Sequence, residues 1–278
     1  MKRNDIVILD GAMGTKLWEK AENRVPVWRY NVENPAIVSD VTREYVEAGS
    51  EIVQANTFGA NRCAVQKSGR GVGEIVSAGV RLAKEAAAGR AKVSLSVGPL
   101  PILMEPYGDL TEEEAAEMFA EQIAPGVAEG ADLIAFETFM DADMLRVAVE
   151  TASRFNLPVL ATMTFTEAGK TIMGHSVERF VESMEGLPVS AVGINCSLGP
   201  EKAVPIIASF EQFTDLPLIF KPNAGKPVEE NGKSRVEYDI DTFVSESMRA
   251  LDYNVKYIGG CCGSSPDYIR AMIRRIRG

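Results

Sequence analysis

Short apolar runs recur along the chain, and most are followed by a stretch whose apolar positions return every three or four residues. Eight such runs predict strands at 6–9, 51–55, 92–97, 132–136, 158–163, 191–195, 218–220 and 255–258. The intervening periodicity predicts helices. Those at 36–48 and 72–88 stop at Gly49 and Gly89, as helices ending on a left-handed residue do. A third, at 111–129, opens with Thr111 and Glu114 in capping-box spacing, and Pro125 inside it predicts a kink or an early stop. Helices at 141–155, 176–184, 200–213, 239–251 and 266–276 complete the set. Strands alternating with helices eight times favour an α/β fold, a closed (β/α)8 TIM barrel, over an open sheet. The expected organisation is a single domain over residues 1–278. Two segments break the pattern. Residues 19–34 have few periodic apolar positions, and residues 221–238 are polar and glycine-rich, which predicts a long loop after the seventh strand.

Composition narrows the function classes. An apolar share of 46% with 24% charged residues is that of a soluble globular protein with a sizeable core. Four cysteines in 278 residues argue for a reducing compartment, so a cytoplasmic location is expected. The start, Met1-Lys2-Arg3-Asn4-Asp5, shows no signal-peptide core, and no run is long enough to span a bilayer. A net charge of −10 disfavours nucleic acid and anionic membranes as partners and favours a small molecule or another protein.

The candidate chemistry gathers around Ile258-Gly259-Gly260-Cys261-Cys262-Gly263. Adjacent side chains on a regular strand point to opposite faces, so two adjacent thiols there could not reach one metal ion. The three glycines are expected to let the backbone leave strand geometry. Cys196 ends another apolar run, and three thiolates meeting at strand ends form a zinc site with one position open, the mark of a catalytic zinc. Vicinal cysteines also serve as buried packing or as a redox pair, and this spacing lacks the paired C-x-x-C of a zinc ribbon. In a barrel of this kind the site lies at the C-terminal ends of the strands. Asp10, Asn56, Glu137, Thr164, Cys196, Asn223, Cys261 and Cys262 all fall there.

Read in order, Leu9-Asp10-Gly11-Ala12-Met13-Gly14-Thr15, Asn56-Thr57-Phe58-Gly59-Ala60-Asn61-Arg62, Glu137-Thr138-Phe139, Gly193-Ile194-Asn195-Cys196, Asn223-Ala224-Gly225 and Gly259-Gly260-Cys261-Cys262-Gly263 resemble the homocysteine S-methyltransferase family. They span nearly the whole chain. The family is a zinc-bearing (β/α)8 barrel. The resemblance implies Cys196, Cys261 and Cys262 as zinc ligands, which together form the catalytic centre. It implies Asp10 and Glu137 near the ammonium group of homocysteine, and the backbone of Ala12, Met13 and Gly14 near its carboxylate. Asn223 matches a position that, in some members, fills the fourth metal position when the thiol is absent. The implied reaction moves a methyl group to the homocysteine thiol and yields methionine. Thr162-Met163-Thr164-Phe165-Thr166 brings the match closest to the homocysteine-binding module of cobalamin-dependent methionine synthase. A barrel uses about 250 residues, which is expected to leave no room for a corrinoid domain. The donor is therefore expected to be methylcobalamin, free or carried by a corrinoid protein partner. S-methylmethionine or betaine is the alternative donor. A non-catalytic barrel with a structural zinc is the second alternative, with Cys63 its only candidate fourth thiol.

The remaining residues read more plainly. Cys63 is expected to be a small, half-buried side chain, and His175 a loop histidine with a structural hydrogen bond. Lys221 is expected to be solvated or ion-paired. Trp18, Trp28 and Tyr107 are expected in core or rim packing, and Glu112–Glu114 at a helix N-terminus, where acidic side chains are favoured.

Overall fold

The computed structural model describes residues 5–225, 228–230, 233–235 and 237–278. The strands in chain order are β1 (Val7–Ile8), β2 (Ile52–Gln54), β3 (Lys92–Val97), β4 (Leu133–Phe139), β5 (Val159–Met163), β6 (Val189–Asn195), β7 (Leu218–Lys221), β8 (Val228–Glu230), β9 (Lys233–Arg235) and β10 (Val255–Ile258). Eight of them form one parallel sheet in the order β1-β10-β7-β6-β5-β4-β3-β2, while β8 and β9 pair antiparallel as a hairpin between β7 and β10. The sheet's two ends meet. Leu9 bridges Ile52 in parallel, and the Glu51 N–H donates to the Ile8 carbonyl at 2.8 Å. Closure leaves no barrel edge unpaired, and the expected (β/α)8 barrel is what the chain forms.

The helices are α1 (Met13–Lys20), α2 (Tyr30–Glu33), α3 (Pro35–Ala48), α4 (Arg62–Val65), α5 (Val72–Ala87), α6 (Glu112–Ala128), α7 (Ala142–Ser153), α8 (Val177–Ser183), α9 (Pro200–Ser209), α10 (Ile240–Met248) and α11 (Pro266–Arg277). The capping box of Thr111 and Glu114 opens α6 as its spacing predicts. Pro125 does not end that helix early; α6 packs along α5 and runs on to Ala128. The expected ends of the helices after β6 and β7 are 3-10 turns, Phe210–Gln212 and Arg249–Asp252.

Three differences from the sequence pattern matter for the site. Strand β4 runs to Phe139, so Glu137 lies on the strand itself. Helix α1 starts inside the Asp10–Thr15 segment, where the sequence pattern predicts no helix; at eight residues with Gly14 near its start, it carries little periodic signal. The expected loop at 221–238 contains the β8–β9 hairpin, while residues 226, 227, 231, 232 and 236 of that expectation, like residues 1–4, lie outside the described residues.

Two apolar layers hold the barrel. The outer one joins sheet to helices and includes the edge-on rings of Phe119, Phe136 and Phe139. The inner one fills the lower barrel with Leu9, Ile52, Leu133, Ala135, Leu160, Ala191 and Ile219.

Candidate metal and substrate site

Side chains two apart on a strand face the same way. The inward rows of the barrel start apolar and end polar: Ile52 is followed by Gln54, Ala135 by Glu137, Leu160 by Thr162, and Ile219 by Lys221. These end residues form two hydrogen-bonded groups. In the first, Asp10 accepts the Gln54 backbone N–H at 2.7 Å and the Lys221 ammonium at 3.3 Å. Lys221 also donates to Gln54 Oε1 at 2.7 Å, and Gln54 Nε2 donates to Glu137 Oε1 at 2.7 Å. The Ser96 hydroxyl donates to the same Glu137 oxygen. In the second, Asn195 Oδ1 accepts from the Thr138 N–H at 2.7 Å and the Thr162 hydroxyl at 2.8 Å. Asn195 Nδ2 donates to the Thr138 hydroxyl at 2.8 Å and lies 3.9 Å from Cys261 Sγ.

Above these groups the three cysteines converge. The Sγ atoms of Cys196, Cys261 and Cys262 all lie within 4.8 Å of one another, with Cys196 and Cys262 at 3.8 Å. Backbone bonds lock the segments that carry them. Cys196 N–H donates to Lys221 O at 3.0 Å, Cys261 N–H to Pro222 O at 2.8 Å, and Ala224 N–H to Cys262 O at 2.9 Å. The departure from strand geometry is made differently from the sequence expectation. Cys196 and Ser197 themselves take positive φ, 60° and 59°, and of the three glycines only Gly263 does, at 80°. Gly259 serves closeness instead: a Cβ there would stand 2.6 Å from the Asp10 carbonyl oxygen.

The donor set fits a metal ion. Two sulfurs bound to zinc at ~2.3 Å with a tetrahedral angle stand about 3.8 Å apart, the spacing of Cys196 and Cys262. Asn223 Oδ1 is buried without a hydrogen-bond partner, and the Asn223 side chain helps to lower the Cys196 pKa. Thiol bonds from Cys261 and Cys262 hold the Cys196 pKa down to about 3. The bond to ionised Cys196 pushes Cys262 up to about 11, and bonds to Cys196 and Cys262 push Cys261 well above its ordinary value. One thiolate is thus easy to form, whereas three together call for a cation. Cys196, Cys261 and Cys262 are the residues able to hold it.

A cavity of about 280 Å³ opens over this cluster at the C-terminal ends of the strands. It is lined by the three cysteines, Glu137, Lys221, Gln54, and the start of α1 from Ala12 to Thr15. The first turn of a helix presents unpaired N–H groups and a positive dipole end, a fitting place for a carboxylate. The expected residues Ala12, Met13, Gly14 and Glu137 therefore stand together with the thiols. Asp10, 1% exposed, lies below them and lines only a small interior cavity. Asn223 adjoins Cys196 without lining the mouth. Asn56 lines the cavity as well, while its amide donates to Val27 O and Asn31 Oδ1 at 2.8 Å each, pinning the segment before α2. Thr164 bonds Ser197 beside the second group.

Cys63 is half-buried against the core and outside the thiol cluster. His175 makes its structural bond through its backbone N–H, to Thr171; its ring Nδ1 is buried without a partner. Trp18 lines the cavity, Trp28 is buried, and Tyr107 is 77% exposed. Lys221 is ion-paired as expected but is 4% exposed, so the solvated alternative does not hold. Gln54, Asn195 and Lys221 are the residues that sequence reasoning left out of the site. Their signal was a polar residue in the last inward position of an otherwise apolar run.

The sequence profile of the homocysteine S-methyltransferase family matches residues 7–276. Methionine synthase of Mycobacterium leprae is 27% identical over 96% of this chain, and the match spans 24% of that protein. The homocysteine methyltransferase MmuM of Escherichia coli, in its metallated form, superposes with a TM-score of 0.82 at 23% identity, covering 98% of this chain and 96% of that one. The carboxyl transferase domain of Rhizobium etli pyruvate carboxylase superposes at 0.54 with 12% identity, covering 99% and 48% of the two chains. These two structural likenesses are likenesses of fold.

Proposed function

The chain belongs to the homocysteine S-methyltransferase family, and from that premise we propose that it transfers a methyl group to the thiol of homocysteine at a zinc ion held by Cys196, Cys261 and Cys262. The observation that carries this reading is the convergence of three Sγ atoms within 4.8 Å inside a cavity shared with Glu137 and the start of α1. A free thiol has a pKa near ~8.5 and is only a few per cent ionised at neutral pH. A zinc ion held by Cys196, Cys261 and Cys262 would supply the ionisation of the substrate thiol. The rest falls to the chain. The Ala12 N–H donates to Ser264 O at 3.3 Å, so the carboxylate of homocysteine sits against the N–H groups that follow it, those of Met13, Gly14 and Thr15, and its ammonium group against Glu137, which delivers the sulfur to the open side of the cysteine cluster. The sulfur forms its new bond to the methyl carbon, and the donor leaves with the electron pair of the broken bond. Holding both partners in line supplies most of the remaining acceleration. Cys63, half-buried against the core and outside the thiol cluster, does not close the metal shell as a structural site would need.

The donor that fits this mouth is a methylated corrinoid, free or carried by a partner protein. Among the described residues, six of the seven large exposed apolar side chains lie on segments that follow strand ends: Trp18, Phe58, Ile102, Leu103, Tyr107 and Ile172. Trp18 and Phe58 among them line the mouth itself, and exposed apolar side chains there suit a bulky, partly apolar partner. A betaine-type donor needs rings around its quaternary ammonium. Trp28 and Tyr30 are buried, at 5% and 4% exposure, and Trp18 and Phe58 are the rings on the cavity wall, two rather than a surrounding cage. The test offers zinc-loaded protein and homocysteine three donors in parallel: methylcobalamin, S-methylmethionine and betaine. Methionine is expected from methylcobalamin. Methionine from a small donor alone would refute the corrinoid assignment, and none from any donor would refute the methyltransferase.

A further inference from the structure

Two carboxylates stand near the mouth floor, and the family resemblance assigns both to the substrate ammonium. The geometry separates them. Both oxygens of Asp10 are engaged, Oδ2 by the Gln54 N–H and Oδ1 by Lys221 Nζ at 3.3 Å. Asp10 is 1% and Lys221 4% exposed, so the pair lies in a medium where opposite charges are held firmly and an unpaired one is costly. Burial alone would strip a lysine of its proton; the Asp10 carboxylate and Glu137 beyond it outweigh burial and raise the Lys221 pKa. Glu137 differs. Its Oε1 takes the bonds from Gln54 and Ser96, while Oε2 accepts none from the described residues and lies 4.0 Å from Lys221 Nζ. Glu137 lines the mouth cavity and Asp10 does not. Lys221 also sets the orientation of Gln54: by donating to Gln54 Oε1 at 2.7 Å it turns the amide NH2 toward Glu137 Oε1.

We propose that Lys221 is a specificity-determining positioning residue, which closes Asp10 into an internal ion pair and leaves Glu137 as the one carboxylate that receives the substrate's ammonium group. The proposal rests on the reading of the cavity as a homocysteine site. The geometry agrees with it: burial pushes the Asp10 pKa up, and Lys221, at 3.3 Å, is the partner that pulls it back down, while the Glu137 oxygen nearest Lys221 stands 4.0 Å away. Lys221 thereby selects a thiol with a single amino group.

The readout is a ratio: affinity for homocysteine over affinity for 4-mercaptobutanoate, its analogue without the amino group. Both are measured by calorimetry on zinc-loaded protein, and a purely structural role would move both affinities equally. Wild type is expected to prefer homocysteine at least tenfold. Asp10→Asn should lose that preference, because the released lysine then pairs with Glu137. Adding Lys221→Met to Asp10→Asn should restore it to within about threefold of wild type. If Asp10 touched the ammonium group, the second substitution could restore nothing, and that result would overturn the proposal. Glu137→Gln answers the same question should the double variant not fold: the ratio is expected to fall to about one, and a residual tenfold preference would overturn the proposal. Wild-type protein that binds neither thiol would overturn this proposal together with the functional reading beneath it.

Discussion

The lower and upper halves of the barrel interior are built on the same strands by the same alternation, and they differ in what they hold. Below, Leu9, Ile52, Leu133, Ala135, Leu160, Ala191 and Ile219 fill the space with apolar contacts. Two residues further along, Gln54, Glu137, Thr162 and Lys221 replace them with groups whose hydrogen bonds must be met inside the protein. The lower layer stabilises the barrel wherever its volume is filled. The upper layer holds charges that are tolerable only in one arrangement, and it is the layer that faces the cysteines. Stability and chemistry are thus stacked along one axis, a few ångströms apart.

If that division is right, changes in each layer should have separable effects. The largest is expected at the metal. Cys196→Ser, Cys261→Ser or Cys262→Ser should each reduce zinc from about one per chain to near none and abolish methyl transfer. The apo protein should still unfold in one cooperative transition, because the lower layer and helical shell remain packed. Zinc content and a thermal melt check both halves of the statement, and a chelated protein that unfolds outright would break the comparison. In the lower layer, Ile219→Ala should cost about 2–5 kcal/mol of stability, the range for a large-to-small core substitution, while zinc stoichiometry stays at wild-type level. Denaturant unfolding with metal analysis is the measurement. The smallest effect is expected between the layers. Asn195 supports Thr138 and Cys261 without joining the thiol cluster, so Asn195→Ala should weaken zinc binding about 10–100-fold, as loss of a residue that orients a ligand does. Competition with a chromophoric chelator reads it, and an unchanged affinity would show that Cys261 is held by its backbone alone.

Much of this layout was legible beforehand. Strands 92–97 and 255–258 have the ends that the apolar pattern sets, because both are bounded by sharp changes in polarity. The cysteine cluster was legible because three of four cysteines stood at strand ends, where side chains of different strands meet. What escaped depends on tertiary pairing. Glu137 looked like the end of a strand, since a carboxylate interrupts an apolar run; Ser96 and Gln54 make it a strand position. Lys221 read as solvated or ion-paired, and only the closed barrel shows that its partner is Asp10, 211 residues away. Helix α1 was hidden by its length and by Gly14, although its first turn faces the cavity.

The central claim is that three cysteines hold a zinc ion with one position open to the substrate thiol. X-ray absorption at the zinc edge tests it directly, on the full chain with and without homocysteine. The account predicts three sulfur neighbours at ~2.3 Å and one lighter neighbour in the free protein, with the sulfur count rising to four when homocysteine binds. Four sulfurs before the substrate is added, or a count that does not change with it, would contradict the account.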